Sequence, residues 1–270
     1  MQDSEFARNT AGSGGGAHLA DQGEIQRSAF VGNVGSVRGG GVHDVGGEFL
    51  RVGLENSTLS GDHSVATGAF FAHQALIENS MIVDNTADAG FDPGGFFLLE
   101  LSVIRNSILA NNRAGGVLRR CVLSPEALVS LGPNVTDGNA AECRLADPTD
   151  QVSANPLLGL LALNGGKTLS HAPPAGSPVI DRGDASVCPV RDQAGWPRPL
   201  DGDANGSAIC DVGTIEVPEP DLALLLGAGA AGLALLGRTG RSGRKARAPR
   251  LRGGARGRAE DGPAVGARLR

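Results

Sequence analysis

The side chains of this sequence whose types and spacing could do chemistry are carboxylates, histidines and cysteines. Asp84, Asp88 and Asp92 recur every four positions and lead into Pro93-Gly94-Gly95. Two carboxylates flanking a glycosidic bond, with room for a water, are what an inverting hydrolysis needs. These three are the nearest thing to such a cluster, although at a spacing of four in a turn they need not share a face. Asp201, Asp203 and Asn205, followed by Gly206, open like a calcium loop, with oxygens at positions one, three and five and a glycine at six. Position twelve holds Val212 instead of Glu, and Asp211 falls one residue early, so weak calcium is the only cofactor suggested. An ordinary acidic turn is the competing reading. His43-Asp44 and Asp62-His63 are acid–base pairs in composition only, because general catalysis requires convergence in space. Five histidines without a recurring interval do not make a metal site.

Cys121 and Cys143 lie 22 positions apart, as do Cys188 and Cys210, and none has the Cys-x-x-Cys spacing of a zinc site. Four cysteines permit three pairings. For an exported protein Cys121–Cys143 and Cys188–Cys210 is the pairing expected, with buried free thiols as the alternative. The net charge of −5 divides into −14 over residues 1–236 and +9 over residues 237–270. The basic tail carries no aromatic residue to stack on bases and follows an apolar run, so nucleic acid is not expected as a partner.

The elements that must position these groups are written in a phrase repeated four times. It begins at Ile25, Leu54, Ile77 and Ile104, at intervals of 29, 23 and 27 residues. The first slot is aliphatic. The fourth is Ser (Ser28, Ser57, Ser80, Ser107), the sixth large and apolar (Phe30, Leu59, Ile82, Leu109), and the ninth Asn or Asp (Asn33, Asp62, Asn85, Asn112). A unit this short cannot bury its own apolar face and must stack on its neighbours, which defines a solenoid. Slots four and six share parity and should both point into the coil. Slot nine should fall at a turn, where Asx side chains satisfy local backbone groups. Glycine blocks at 14–16, 39–41 and 94–95 should open further strands through tight turns. The 42 glycines and the scarcity of aromatics suit a chain that turns several times per rung. The polar, acidic start, Met1-Gln2-Asp3-Ser4-Glu5, carries no secretory signal, which suggests a truncated or wrongly placed beginning.

The Asn-Ser-x-aliphatic phrase, over residues 14–120, resembles the repeats of right-handed parallel β-helix proteins of the pectate-lyase-like superfamily. The resemblance implies an all-β, right-handed parallel β-helix, here over 1–120. Residues 121–145 break the period with the turn signals Gly132-Pro133-Asn134 and Asp137-Gly138-Asn139 and read as a disulfide-tied last coil or cap. Residues 146–216 carry Asn155-Pro156-Leu157, Leu163-Asn164-Gly165-Gly166-Lys167-Thr168, Gly176-Ser177-Pro178-Val179-Ile180-Asp181-Arg182-Gly183 and Asp211-Val212-Gly213-Thr214-Ile215-Glu216. They resemble the choice-of-anchor Q domain, a small β module that precedes a surface anchor. Lys167 stands where that family usually has Pro, and Thr214-Ile215 where it has Ala-Phe. Residues 217–238 are similar to a PEP-CTERM sorting signal: Pro218-Glu219-Pro220, an apolar run over 222–237, and Arg238. Sixteen helical residues reach about 24 Å, short of a ~30 Å hydrocarbon core, which suits a processed transmembrane helix. Asp221 and the long basic tail at 239–270 depart from that pattern.

Together the resemblances imply an exported protein at the cell surface or outer envelope of a Gram-negative-type bacterium, with a structural, adhesive or matrix role. Its partners would be an exosortase-type enzyme, the membrane through residues 222–237, and extracellular polysaccharide. The competing expectation is a surface polysaccharide lyase or glycoside hydrolase. Carboxylates clustered with a basic residue on one outer face would favour that enzyme; bare Ser, Asn and Thr ladders would favour a binder.

Overall fold

The structure, a computed structural model, describes residues 1–46, 51–88, 92–124 and 127–219. Pro220, the apolar run at 222–237, Arg238 and the basic tail lie outside the described residues. Among the described residues no helix is long and apolar enough to cross a membrane.

The chain winds into a parallel β-solenoid of about five turns with four sheets along its sides. One sheet stacks Glu5–Ala7, Ala29–Val31, Thr58–Ser60, Met81–Val83, Ile108–Ala110 and Val135–Thr136. A second stacks Thr10–Ser13, Val34–Arg38, His63–Ser64, Thr86–Ala87 and Arg113–Ala114, closed by the antiparallel Val117–Leu118. The third runs Ala17–Leu19, Val42–Asp44, Phe70–Ala72, Phe96–Leu98 and Cys121–Leu123. The fourth runs Gly23–Gln26, Arg51–Glu55, Gln74–Glu78, Ser102–Arg105 and Leu128–Ser130.

The repeated phrase is the corner from the fourth sheet into the first. Slot one lies in register from coil to coil, Ile25 on Leu54, Leu54 on Ile77 and Ile77 on Ile104, all pointing inward. Slot three turns the chain in the left-handed region (Arg27, Asn56, Asn79 and Asn106, φ 46–48°). Asn tolerates that region better than most residues because its short side chain bonds locally. Slots four and six then point inward as expected, and both ladders are buried. Each Ser Oγ accepts the backbone N–H of the Ser one coil earlier, at 3.1–3.2 Å, from Ser28 through Ser107.

Slot nine departs from expectation. The turn is made one residue earlier, at Gly32, Gly61, Asp84 and Asn111, with φ of 54–68°. Slot nine therefore points into the coil, fully buried, and bonds to the next coil instead of to its own turn. Asn33 N–H reaches Asp62 Oδ1, Asp62 N–H reaches Asn85 Oδ1, and Asn85 N–H reaches Asn112 Oδ1.

The glycine blocks do precede strands of the third sheet. A Cβ on Gly68 would lie 2.1 Å from the Gly94 carbonyl oxygen, and one on Gly40 would lie 2.3 Å from that of His63. Only glycine lets the coils approach so closely there. The inner core joins Ile25, Phe30, Leu54, Phe70, Phe96 and Ile104 with their neighbours.

Both expected disulfides are present. Cys121–Cys143 ties the last strand of the third sheet to the short helix Ala140–Cys143, and Cys188–Cys210 closes a loop in the final segment.

After Gln151 the chain runs back along the outside of the first sheet. Its outward slots, five and seven, are consequently buried as well, except half-buried Val31. Met81, Val83, Ile108 and Ala110 pack against Val179, Val212 and Leu158. Corner asparagines serve as docking points: Asn56 and Asn79 donate to the carbonyls of Arg191 and Val187, and Asn106 accepts the N–H of Asp184.

Candidate functional site

Where the returning segment leaves the solenoid wall, a groove of about 780 Å³ opens. Its solenoid side is one short stretch of each coil: Val31-Gly32, Ser60-Gly61, Val83-Asp84, Ala110-Asn111, and finally Asp137. Neighbouring coils are about 4.8 Å apart, so four steps make a channel roughly 19 Å long. The other wall is Asn155, Pro156 and residues 158–161, with His171 at the floor.

Ser60 and His171 meet in that floor, Oγ to Nε2, at 2.9 Å, and both are nearly buried. His171 comes from the short strand Ser170–His171, paired with Leu161–Ala162. Its Nδ1 lies 2.8 Å from the carbonyl oxygen of Gly159. A carbonyl only accepts, so Nδ1 carries the proton, and in the neutral ring Nε2 is left to accept the Ser60 hydroxyl. No spacing in the sequence points to this pair, whose members are 111 residues apart.

The three candidate carboxylates do not converge. Asp84 lies at the groove edge and accepts the side-chain amide of Asn111. Asp88 follows the second sheet, 3.6 Å from His63 Nε2. Asp92 lines a small cavity of about 110 Å³ with Arg38, Thr67, Phe71, Phe97 and Leu99. Asp137 shares the groove with Asp84 but is held by Arg120 at 2.5 Å and accepts the N–H of Asn111.

The histidine pairs are likewise parted. Asp62 points inward while His63 points outward, onto Thr86 Oγ1 at 2.9 Å. His43 packs between His18 and Phe71, and burial pushes its pKa down to about 4. Asp44 accepts the N–H groups of Gly46 and His73.

The calcium residues split as well. Asp201 and Asp203 lie together and are joined by Asp181, their carboxylate oxygens all within 4.8 Å of one another. This is a donor set suited to a hard cation. Asn205 keeps its side-chain oxygen for the N–H of Ser207. Asp211 is elsewhere: its two oxygens accept the N–H groups of Asp181 and Val217 inside the fold. Burial, aided by Glu216, pushes its pKa up to about 8. Beside it Arg198 binds Glu216 at 2.6 Å, with both side chains fully buried. Burial also raises the carboxyls of Asp181, Asp192 and Glu216.

Compared with family models, curated proteins and solved structures, the chain gives no match. What the geometry defines is a parallel β-solenoid with a disulfide-tied segment folded back along one face and a groove between the two.

Proposed function

We propose that this chain is an exported bacterial surface protein whose solenoid has a structural, adhesive or matrix role. The observation that carries this reading is the use made of the repeat's polar residues. The Ser and Asx slots are consumed in coil-to-coil bonds, and Asp84, Asp88 and Asp92 sit in separate surroundings. The regular part of the chain is built for rigid extension. Two disulfides accord with an oxidising compartment. The similarity of residues 146–216 to the choice-of-anchor Q domain supports surface attachment. Pro218-Glu219-Pro220, the apolar run at 222–237, Arg238 and the basic tail support sorting by an exosortase-type enzyme, with arginines held on the cytoplasmic side. The groove would hold extended polysaccharide, and calcium would brace the turn formed by Asp181, Asp201 and Asp203.

Peptide mapping of protein released from the surface of intact cells tests the reading. Peptides from residues 1–216 without any from 240–270 are expected. A retained tail, or protein confined to the cytoplasm, overturns it.

A second reading, a polysaccharide lyase or hydrolase, is favoured by the presence of Asp84 and Asp137 in one groove. Incubating the full chain with acidic and neutral polysaccharides, with and without calcium, separates the two. New reducing ends or unsaturated products that vanish in Asp84→Asn would establish the enzyme. Retention on a glycan without turnover would establish the binder.

A further inference from the structure

We propose that Ser60 and His171 form a nucleophile–base pair that cleaves short-chain acyl esters carried on an uncharged, extended polymer lying in the groove. The inference goes beyond surface display and does not depend on it.

The pair has the parts an activated hydroxyl requires. The nucleophile's O–H points at an imidazole nitrogen, and the opposite ring nitrogen is fixed by an acceptor that sets the tautomer. Here that acceptor is the Gly159 carbonyl at 2.8 Å. Gly159 is itself held in place, its own N–H donating to the Ala172 carbonyl next along from His171. The ring therefore has little freedom to turn away from Ser60.

The position of Ser60 is also singular. Its register partners in the same outward column are Val31 and Val83, and Ala110 follows. Apolar side chains satisfy that column in the other coils. The one hydroxyl stands where the imidazole arrives and where the groove opens.

The next backbone N–H, that of Gly61, is the weakest held in its row. It reaches the Val83 carbonyl at 3.4 Å, whereas Gly32 and Asp84 make the equivalent bonds at 3.0 and 3.2 Å. The N–H of the residue after a nucleophile is well placed to stabilise an oxyanion, and this one gives up little to do so.

In the reaction, Ser60 Oγ attacks the ester carbonyl carbon and its proton passes to His171 Nε2. The bond to the alcohol oxygen breaks, and the alcohol leaves with that proton. Water then adds to the acyl-serine, again losing a proton to His171, and releases the carboxylic acid with Ser60 restored. No other reactant is consumed.

The groove suggests the substrate class. Its length suits an extended chain. Among the described residues its charged lining is Asp84 and Asp137, without Lys or Arg, which disfavours a polyanion. Val31, Val83 and Leu158 offer an apolar seat for a small acyl group.

The test uses the folded full-length chain, diisopropyl fluorophosphate as the covalent probe, and p-nitrophenyl acetate as the turnover substrate. One adduct, mapped to Ser60, is expected, together with ester hydrolysis that Ser60→Ala abolishes. His171→Asn should slow labelling at least 100-fold, the lower bound for losing a general base, in protein that still melts cooperatively. Absence of a Ser60 adduct in folded wild-type protein would overturn the proposal, whatever the variants do. So would labelling that His171→Asn leaves unchanged. A pair that only docks the returning segment would lower the melting temperature on substitution and never react with the probe.

Discussion

Asn33 donates both its backbone N–H and its side-chain amide to a single oxygen of Asp62, at 2.8 and 2.9 Å. Among the described residues the other oxygen of Asp62 has no hydrogen-bond partner, and it is buried. In the same ladder the amide nitrogens of Asn33, Asn85 and Asn112 donate to the carbonyls of Phe6, Leu59 and Ile82 in preceding coils. By register the lone oxygen of Asp62 corresponds to those nitrogens, and the carbonyl it would face is that of Phe30. Two buried acceptors so placed call for a proton between them, and burial holds the Asp62 carboxyl up at about 7.

Asp62→Asn supplies a donor where the ladder calls for one. The folded carboxyl binds its proton more tightly than the unfolded one, near 3.8. Its contribution to stability is therefore greatest in acid, falls as pH rises from about 4 to about 7, and is flat above. The variant should match the wild type near pH 4 and exceed it at pH 8 by roughly 2–4 kcal/mol. Urea denaturation at the two pH values checks this. Equal shifts at both, or a loss at pH 8, would remove the protonated acid from the ladder.

The whole chain should lose stability between pH 6.5 and 8, where many proteins change little. Asp62 and Asp211 have folded pKa values raised to about 7 and about 8, so both still release protons on unfolding in that interval. His43 works the other way, its pKa being lowered to about 4, but its effect ends near 6.5, the ordinary value of an unfolded histidine. Above that only the acids act. A fall of about 1–3 kcal/mol is expected from denaturant midpoints across the interval. A flat or rising profile would contradict it.

The solenoid was legible because stacking imposes a local pattern: slots one, four and six recur in sequence since each must meet its own copy one coil away. Slot nine departs because its direction depends on which residue takes the positive φ: Gly32 and Gly61 are suited to it, but Asp84 and Asn111 look no more turn-like than the Asn that follows each. The covered outer face was not legible at all. Thr58 looks like a solvent-facing strand residue until Gln193, 135 residues later, closes on it at 2.7 Å. Asp181 beside Asp201, and His171 against Ser60, were hidden for the same reason. Contacts set by how a long segment returns leave no period to read.

Ser57→Ala should cost more than its size implies. Ser57 Oγ accepts the buried N–H of Ser28 at 3.1 Å and donates to the Glu55 carbonyl at 2.8 Å. Removing the oxygen strands an N–H inside the coil, a loss of about 1–3 kcal/mol. The same change at exposed Ser36, whose Oγ reaches the Ala11 carbonyl at 3.3 Å, should cost under about 0.5 kcal/mol. Thermal melts of the two variants decide it. Equal effects would mean that the ladder is incidental to stability.

Arg198 should prove the hub that joins the returning segment to the solenoid. It binds Glu216 through Nε at 2.6 Å, the Asn56 side-chain oxygen through Nη1 at 3.1 Å, and the carbonyls of Asp211 and Gly213 through Nη2. Arg198→Met leaves Glu216 charged and unpaired in a buried site, which costs about 3–5 kcal/mol. Adding Glu216→Gln removes that stranded charge, so the double variant should recover a good part of the loss. Trp196, the chain's single tryptophan, lies two residues from Arg198 and reports unfolding of this region by its fluorescence. If the second substitution only adds to the damage of the first, what Arg198 supplies is its bonds to the carbonyls and to Asn56, and neutralisation of Glu216 is secondary.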